Sequence, residues 1–284
     1  MARSAFAAAR SSGGRLRGLA ALSMLCVALS SLSIRDREDD RPFAAAVARG
    51  ALIVAVPSRP APTLNVGKVD HFARVPDGFA AALAEDIGRR VGLPVTFVLA
   101  GSRDVSDATK ADIAITGHGF ADDRALAYAP TAYTSGHGMA LVLRHGTVRA
   151  WGDLAGGSVC ASRGSPFARD AARRARANVR EYDRPLDALL AFQAGECAAL
   201  VDDELAIRKL LKQPDWAYYR SLPGTLDPAP AYIAARGGDI EGAAFIERTV
   251  QDWRRQRWLS TVREDQATQL AFDMFNAQND LYCH

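Results

Sequence analysis

Two stretches of this sequence set charged side chains beside turn residues or at the end of an apolar run. One is the glycine-rich turn Thr116-Gly117-His118-Gly119 and the Asp122-Asp123-Arg124 run that follows it. The other is Asp202-Asp203-Glu204, which ends the apolar run from Ala198 to Val201. An arginine fork matches a carboxylate through two parallel hydrogen bonds, and a carboxylate matches an ammonium. Each residue also has a plainer reading. An arginine in an Asp-Asp-Arg run is ordinarily a solvated surface residue. Asp203 and Ser165 can each simply cap the helix that follows. Asp202 competes with Asp203, because a shift of one residue would swap them. Signatures of catalysis are absent from the sequence: no His/Cys spacing of a metal site, no Gly-x-Ser-x-Gly elbow and no phosphate loop. No cofactor and no metal are expected.

Charge and cysteine usage bound the class. The chain has 284 residues, 49% hydrophobic and 24% charged, enough for one large or two small domains. Its net charge of +3 comes from the first 34 residues, which hold Arg3, Arg10, Arg15 and Arg17 and no acid. Without those four, 31 basic residues face 32 acidic ones. That balance gives no case for nucleic-acid binding. The basic stretch ending at Arg17, the apolar run Gly18 to Ile34 and the charged stretch from Arg35 form the pattern of a secretory signal peptide over residues 1–34. Residues 35–43 read as a linker, and an uncleaved anchor is the alternative to a cleaved leader. Outside the leader stand Cys160, Cys197 and Cys283, so in an oxidising compartment one pair and one remainder are expected.

The remaining chain alternates strand and helix patterns. Leu52 to Val56 is a short apolar run ended by prolines. Phe79, Leu83, Ile87 and Val91 share one helical face, which Gly92 ends. Strands follow at Pro94 to Leu99, Asp112 to Thr116 and Met139 to Leu143. The pattern then restarts, with strands at Ser158 to Ala161, Asn178 to Tyr182, Ala198 to Val201 and Ala231 to Ala235, and helices between and after them. Such alternation predicts parallel sheets with helices on both faces, in two α/β lobes. Ligands of such folds bind beyond the carboxyl ends of the strands.

Four segments, in this order and spacing, carry a resemblance. They are Gly78-Phe79 opening a helix; Ala111 to Ile115 with Asp123-Arg124, Ala129-Pro130 and Tyr133; Asp153 to Val159 with Gly164-Ser165; and Ala188 to Asp203. From about Gly50 to Trp258 the chain resembles the bacterial periplasmic solute-binding proteins of family 3, the polar amino-acid ABC-transporter type. The resemblance implies a two-lobed type II fold in which the chain crosses twice between lobes. The crossings are placed near Leu143 and Ile233, giving lobe 1 as residues 44–142 plus 234–284 and lobe 2 as 143–233. It further implies capture of an amino acid or related organic acid with no chemistry done on it. Arg124 then takes the ligand carboxylate, helped by Thr116 and the backbone near Gly117 and Gly119. Asp203 takes the ammonium from the opposite lobe, and Ser165 adds a donor. A Cys160–Cys197 disulfide is implied within lobe 2, since some family members place a cystine at similar positions. A periplasmic location, a membrane permease partner and a monomer complete the expectation.

The chain departs from the family pattern at several positions. The stretch from Pro57 to Pro62 has no aromatic ring to stack on a ligand. Gly119 stands where a hydroxyl is usual, and Pro166 has no N–H. Arg59 and His118 would make the pocket more basic and favour an acidic ligand. Two rival readings keep the fold: a degenerate module binding a protein partner, and a dehydratase-like enzyme with Glu204 as its acid or base.

Overall fold

The computed structural model describes residues 41–61, 70–100, 110–115, 125–134 and 136–282. It contains two sheets flanked by helices, as the alternating patterns predict.

The first sheet is built from β1 (Leu52–Ala61), β2 (Asp70–Pro76), β3 (Val95–Ala100), β4 (Ile113–Ile115), β5 (Leu126–Tyr128) and β11 (Ile233–Arg236). Its order is β2-β1-β4-β11-β5, with β3 also paired to β1. The short helix α1 (Ala44–Arg49) precedes β1, and α2 (Gly78–Val91) leads to β3. The Asp77 carboxylate caps α2, accepting from Phe79 N at 3.0 Å and Ala80 N at 3.1 Å. Gly92, at φ 78°, supplies the left-handed conformation that stops the helix. Leu83 and Ile87 pack with Leu52, Val54 and Val56 and with Ile246, Val250 and Trp253 of α6 (Ile240–Arg255) in one buried cluster. Ala55, Ala114 and Ala234 form a second cluster, as alternation along the strands requires.

The second sheet has the order β10-β6-β9-β7-β8. Its strands are β6 (Gly138–Leu143), β7 (Ser158–Ser162), β8 (Asn178–Tyr182), β9 (Ala199–Asp203) and β10 (Tyr219–Ser221). Helices α3 (Ala168–Ala175), α4 (Pro185–Gln193) and α5 (Glu204–Leu210) connect them. Met139, Leu141, Cys160 and Leu200 meet α4 and α5 through Leu189, Phe192, Ile207 and Leu210. Ala140, Val142, Val159 and Val201 meet Ala171 and Ala175 of α3 with Trp151 and Leu154. Odd and even positions of one strand thus feed two cores. Cys160 and Cys197 are joined in a disulfide with Cα atoms 5.7 Å apart.

Three features differ from the sequence expectation. The sheets are mixed. β1 runs parallel to β3 and β4, and β7 to β8 and β9, but β11 and β6 are antiparallel to their neighbours. β6 belongs to the second sheet, pairing Gly138 with Asp203 and Leu141 with Leu200. The change of sheet therefore falls between Tyr128 and Gly138, ahead of Leu143. β1 also continues through its prolines to Ala61. Beyond Pro57 it pairs with β2 among the described residues, and a strand position without a ladder bond to make tolerates a missing N–H.

The chain ends in a 25-residue helix, α7 (Trp258–Tyr282). It packs on α2 and α6 beside the first sheet and on α4 and α5 beside the second. No described helix is long and apolar enough to cross a membrane.

Candidate functional site

Of the expected ligand contacts, Thr116, Gly117, Gly119 and Arg124 lie outside the described residues, as does His118. Asp203 and Ser165 are placed.

Asp203 is the last residue of β9 and the N-cap of α5. Its two carboxylate oxygens have separate partners. Oδ1 accepts from Leu205 N at 2.9 Å, which is the capping bond. Oδ2 accepts a charge-assisted bond from the Arg263 guanidinium on α7. Both side chains are 26% exposed, so the pair sits at a partly open surface. Gly136 lies against it. A Cβ at position 136 would stand 2.6 Å from Arg263 Nη2 and 2.7 Å from Asp203 Oδ2. A side chain at position 136 would have to push the guanidinium or the carboxylate aside from this contact.

Asp202 points to the opposite face of β9 and has a different environment. Burial, reinforced by the adjacent Asp203 charge and opposed by a hydrogen bond from Asp203 N, pushes its carboxyl up to about 6. Glu204 is ion-paired with Arg208 one turn on, with Nε to Oε1 at 2.7 Å. Ser165 follows Gly164, which adopts φ 75°, and its Oγ accepts from Phe167 N at 3.3 Å at the entry to α3. Ser162, at the end of β7, has a buried hydroxyl with no hydrogen-bond partner among the described residues.

A second group of polar side chains converges on the start of α2. A Cβ at Gly78 would stand 2.8 Å from Arg59 Nη2 and 3.3 Å from Gln266 Nε2. Gln266 lies one turn beyond Arg263 on α7. One helix thus touches Asp203 at the carboxyl end of the second sheet and the β1/α2 region of the first. Lys209 of α5 and Glu264 of α7 add a looser ion pair at 3.8 Å. Among the described residues, no group of His, Cys, Asp and Glu is arranged to hold a metal ion. The arrangement can pair small cationic and anionic groups between two α/β units.

Solved structures share this architecture. An amino acid ABC transporter substrate-binding protein from Streptococcus pneumoniae, bound to L-arginine, superposes with a TM-score of 0.59 at 19% identity over 79% of this chain and 96% of that one. The chain has the two-lobed fold of solute-binding proteins. Holo ArgBP from T. maritima gives a TM-score of 0.54 at 22% identity, covering 74% of this chain and 92% of that one. An ancestral arginine-binding protein bound to glutamine gives 0.55 at 21%, covering 76% and 97%. No family model matches the sequence, and no curated protein matches it.

Sequence reasoning missed Arg263, Gln266 and Gly136. A signal for the first two exists. Leu259, Val262, Gln266 and Leu270 recur at helical spacing, and Arg263 and Gln266 fall on or beside that stripe. A polar pair on an inward helix face asks for a partner.

Proposed function

We propose that this protein is an exported solute-binding protein that captures a small ligand bearing a carboxylate and an ammonium, an amino acid or close relative, and passes it to a membrane ABC-transporter permease. The observation that carries this reading is the Asp203 carboxylate. It stands at the carboxyl end of a strand, where α/β folds bind ligands, and its Oδ2 is turned to a cationic group that its own lobe does not supply. The likeness in fold to amino-acid-binding proteins supports it. In this reading Asp203 pairs the ligand ammonium, and Arg124, with Thr116 and the Gly117 and Gly119 backbone, pairs the carboxylate. Ser165 contributes a hydroxyl from lobe 2. Residues 44 to about 134 with 233–284 form lobe 1, and the segment between forms lobe 2. The protein acts as a monomer, after export directed by residues 1–34, and catalyses no reaction. The Glu204–Arg208 pair already engages the carboxylate a dehydratase would use.

The test is thermal unfolding of the mature chain against a panel of amino acids and organic acids. A ligand at one hundred times its dissociation constant adds about 2.7 kcal/mol of stability. A selective shift that disappears in Arg124→Ala and Asp203→Ala is the expected outcome. A second reading, a two-lobed module docking a protein partner, rests on the occupied state of Asp203. A flat screen with well-folded protein and a specific periplasmic partner on pull-down would select it.

A further inference from the structure

The C-terminal helix does more than close the fold. α7 reaches both sheets' helices, and its inward stripe carries buried Leu259 and Ala267 with half-buried Arg263 and Gln266 between them. A purely structural helix would fill those inner positions with apolar residues. Here Arg263 pairs with Asp203 in the second lobe, and Gln266 stands beside Gly78 and Arg59 in the first. Gly136 leaves the space that lets the ion pair form.

From this juxtaposition we propose that Arg263 is a tethered competitor for the Asp203 carboxylate: α7 holds a guanidinium where the ammonium of a captured ligand would sit, and with Gln266 it bridges the lobes until ligand displaces it. The inference rests on the role assigned to Asp203 above. The physical reason is space: Oδ1 caps α5, and the Arg263 guanidinium stands against Oδ2 beside Gly136, so a ligand ammonium that takes that place must displace it. A carboxylate whose partner is built into the chain is never left unpaired, so the empty protein is held together by the contact that ligand must replace. Apparent affinity is then the intrinsic affinity reduced by the fraction of molecules in which Arg263 has let go. Ligands lacking an ammonium do not compete for this oxygen.

The experiment compares the full mature chain with Arg263→Ala, Arg263→Lys and Asp203→Asn. Titration calorimetry uses the amino acid selected in the thermal screen. Fluorescence energy transfer between dyes on the two lobes, read without ligand, gives their separation. The expected result is that Arg263→Ala tightens amino-acid binding roughly tenfold or more. Arg263→Lys keeps most of the wild-type behaviour, and the ligand-free lobes stand farther apart in Arg263→Ala and Asp203→Asn than in the wild type. Unchanged affinity and unchanged separation in Arg263→Ala overturn the inference while leaving capture intact. Weaker binding in Arg263→Ala overturns it too, by making Arg263 a ligand contact. If nothing binds to any variant, the capture reading fails. The lobe separation then decides alone whether Arg263 and Asp203 form a latch.

Discussion

Adjacent residues of a strand point to opposite faces, and at Asp202 and Asp203 that alternation divides two carboxylates between different tasks. Asp203 is turned to a guanidinium, whereas Asp202, half-buried on the other face, has its carboxyl raised from 3.8 to about 6, chiefly by loss of solvation. The folded chain therefore holds a proton at Asp202 between about pH 4 and pH 6 that the unfolded chain has released. Stability from this group rises as pH falls through that window, and the destabilisation is fully present above it. Asp202→Asn keeps an oxygen for the Asp203 N–H and removes the charge. We expect it to stabilise the protein at pH 7 by about 1–3 kcal/mol and to flatten the stability profile between pH 4 and 6. Urea midpoints across that range test it, and an unaltered slope would show that the carboxyl titrates as it does in water. The Asp-Asp-Glu run is visible in the sequence. Its faces are not, because a single shift in register exchanges them.

At the scale of elements, two cross-links tie neighbours that the sequence leaves unconnected. The Cys160–Cys197 disulfide joins β7 to the segment entering β9 and spans 37 positions. Replacing both cysteines by alanine should cost roughly 3–4 kcal/mol, read as a lower denaturation midpoint, and chemical reduction of the native chain should reproduce it. A loss below about 1 kcal/mol would mean that the strand pairing alone fixes this loop. The second tie joins α2 to α6. Asp86 is buried on α2, where it accepts from Trp253 Nε1 at 2.6 Å, Arg89 Nη2 at 2.7 Å and Arg90 Nε at 2.6 Å. Asp86→Ala leaves the buried indole N–H without an acceptor and should cost about 2–4 kcal/mol. Trp253→Phe, which removes the donor as well, should make the Asp86→Ala cost smaller in a double-mutant cycle. Equal cost in both backgrounds would argue that the arginines alone account for it. The four-residue spacing of Phe79, Leu83, Ile87 and Val91 reveals the apolar face of α2. It is silent about Asp86, since a charged residue enters a core only when its partners arrive from distant segments.

Over the whole molecule, the chain leaves the first sheet after β5, builds the second, returns as β11 and then lays α7 along both. That route explains the mixed sheets: a strand entering from the other lobe approaches from the opposite end. It also explains why the C-terminal helix can reach Asp203, 60 residues earlier in sequence. By itself the sequence determined what depends on near neighbours along the chain: eight of the strands and the helices between them, the glycine that ends α2, that two α/β units are present, and that Asp203 sits where a strand becomes a helix; it did not reveal the strands β2, β5 and β10. Only the tertiary structure decided the sheet to which β6 belongs, the face of Asp202, the burial of Asp86, and the meeting of Arg263 with Asp203 beside Gly136. The physical reason is range. Periodicity and capping arise within a turn or two of chain, whereas burial and charge pairing are set by groups brought together only when the lobes and the last helix have packed.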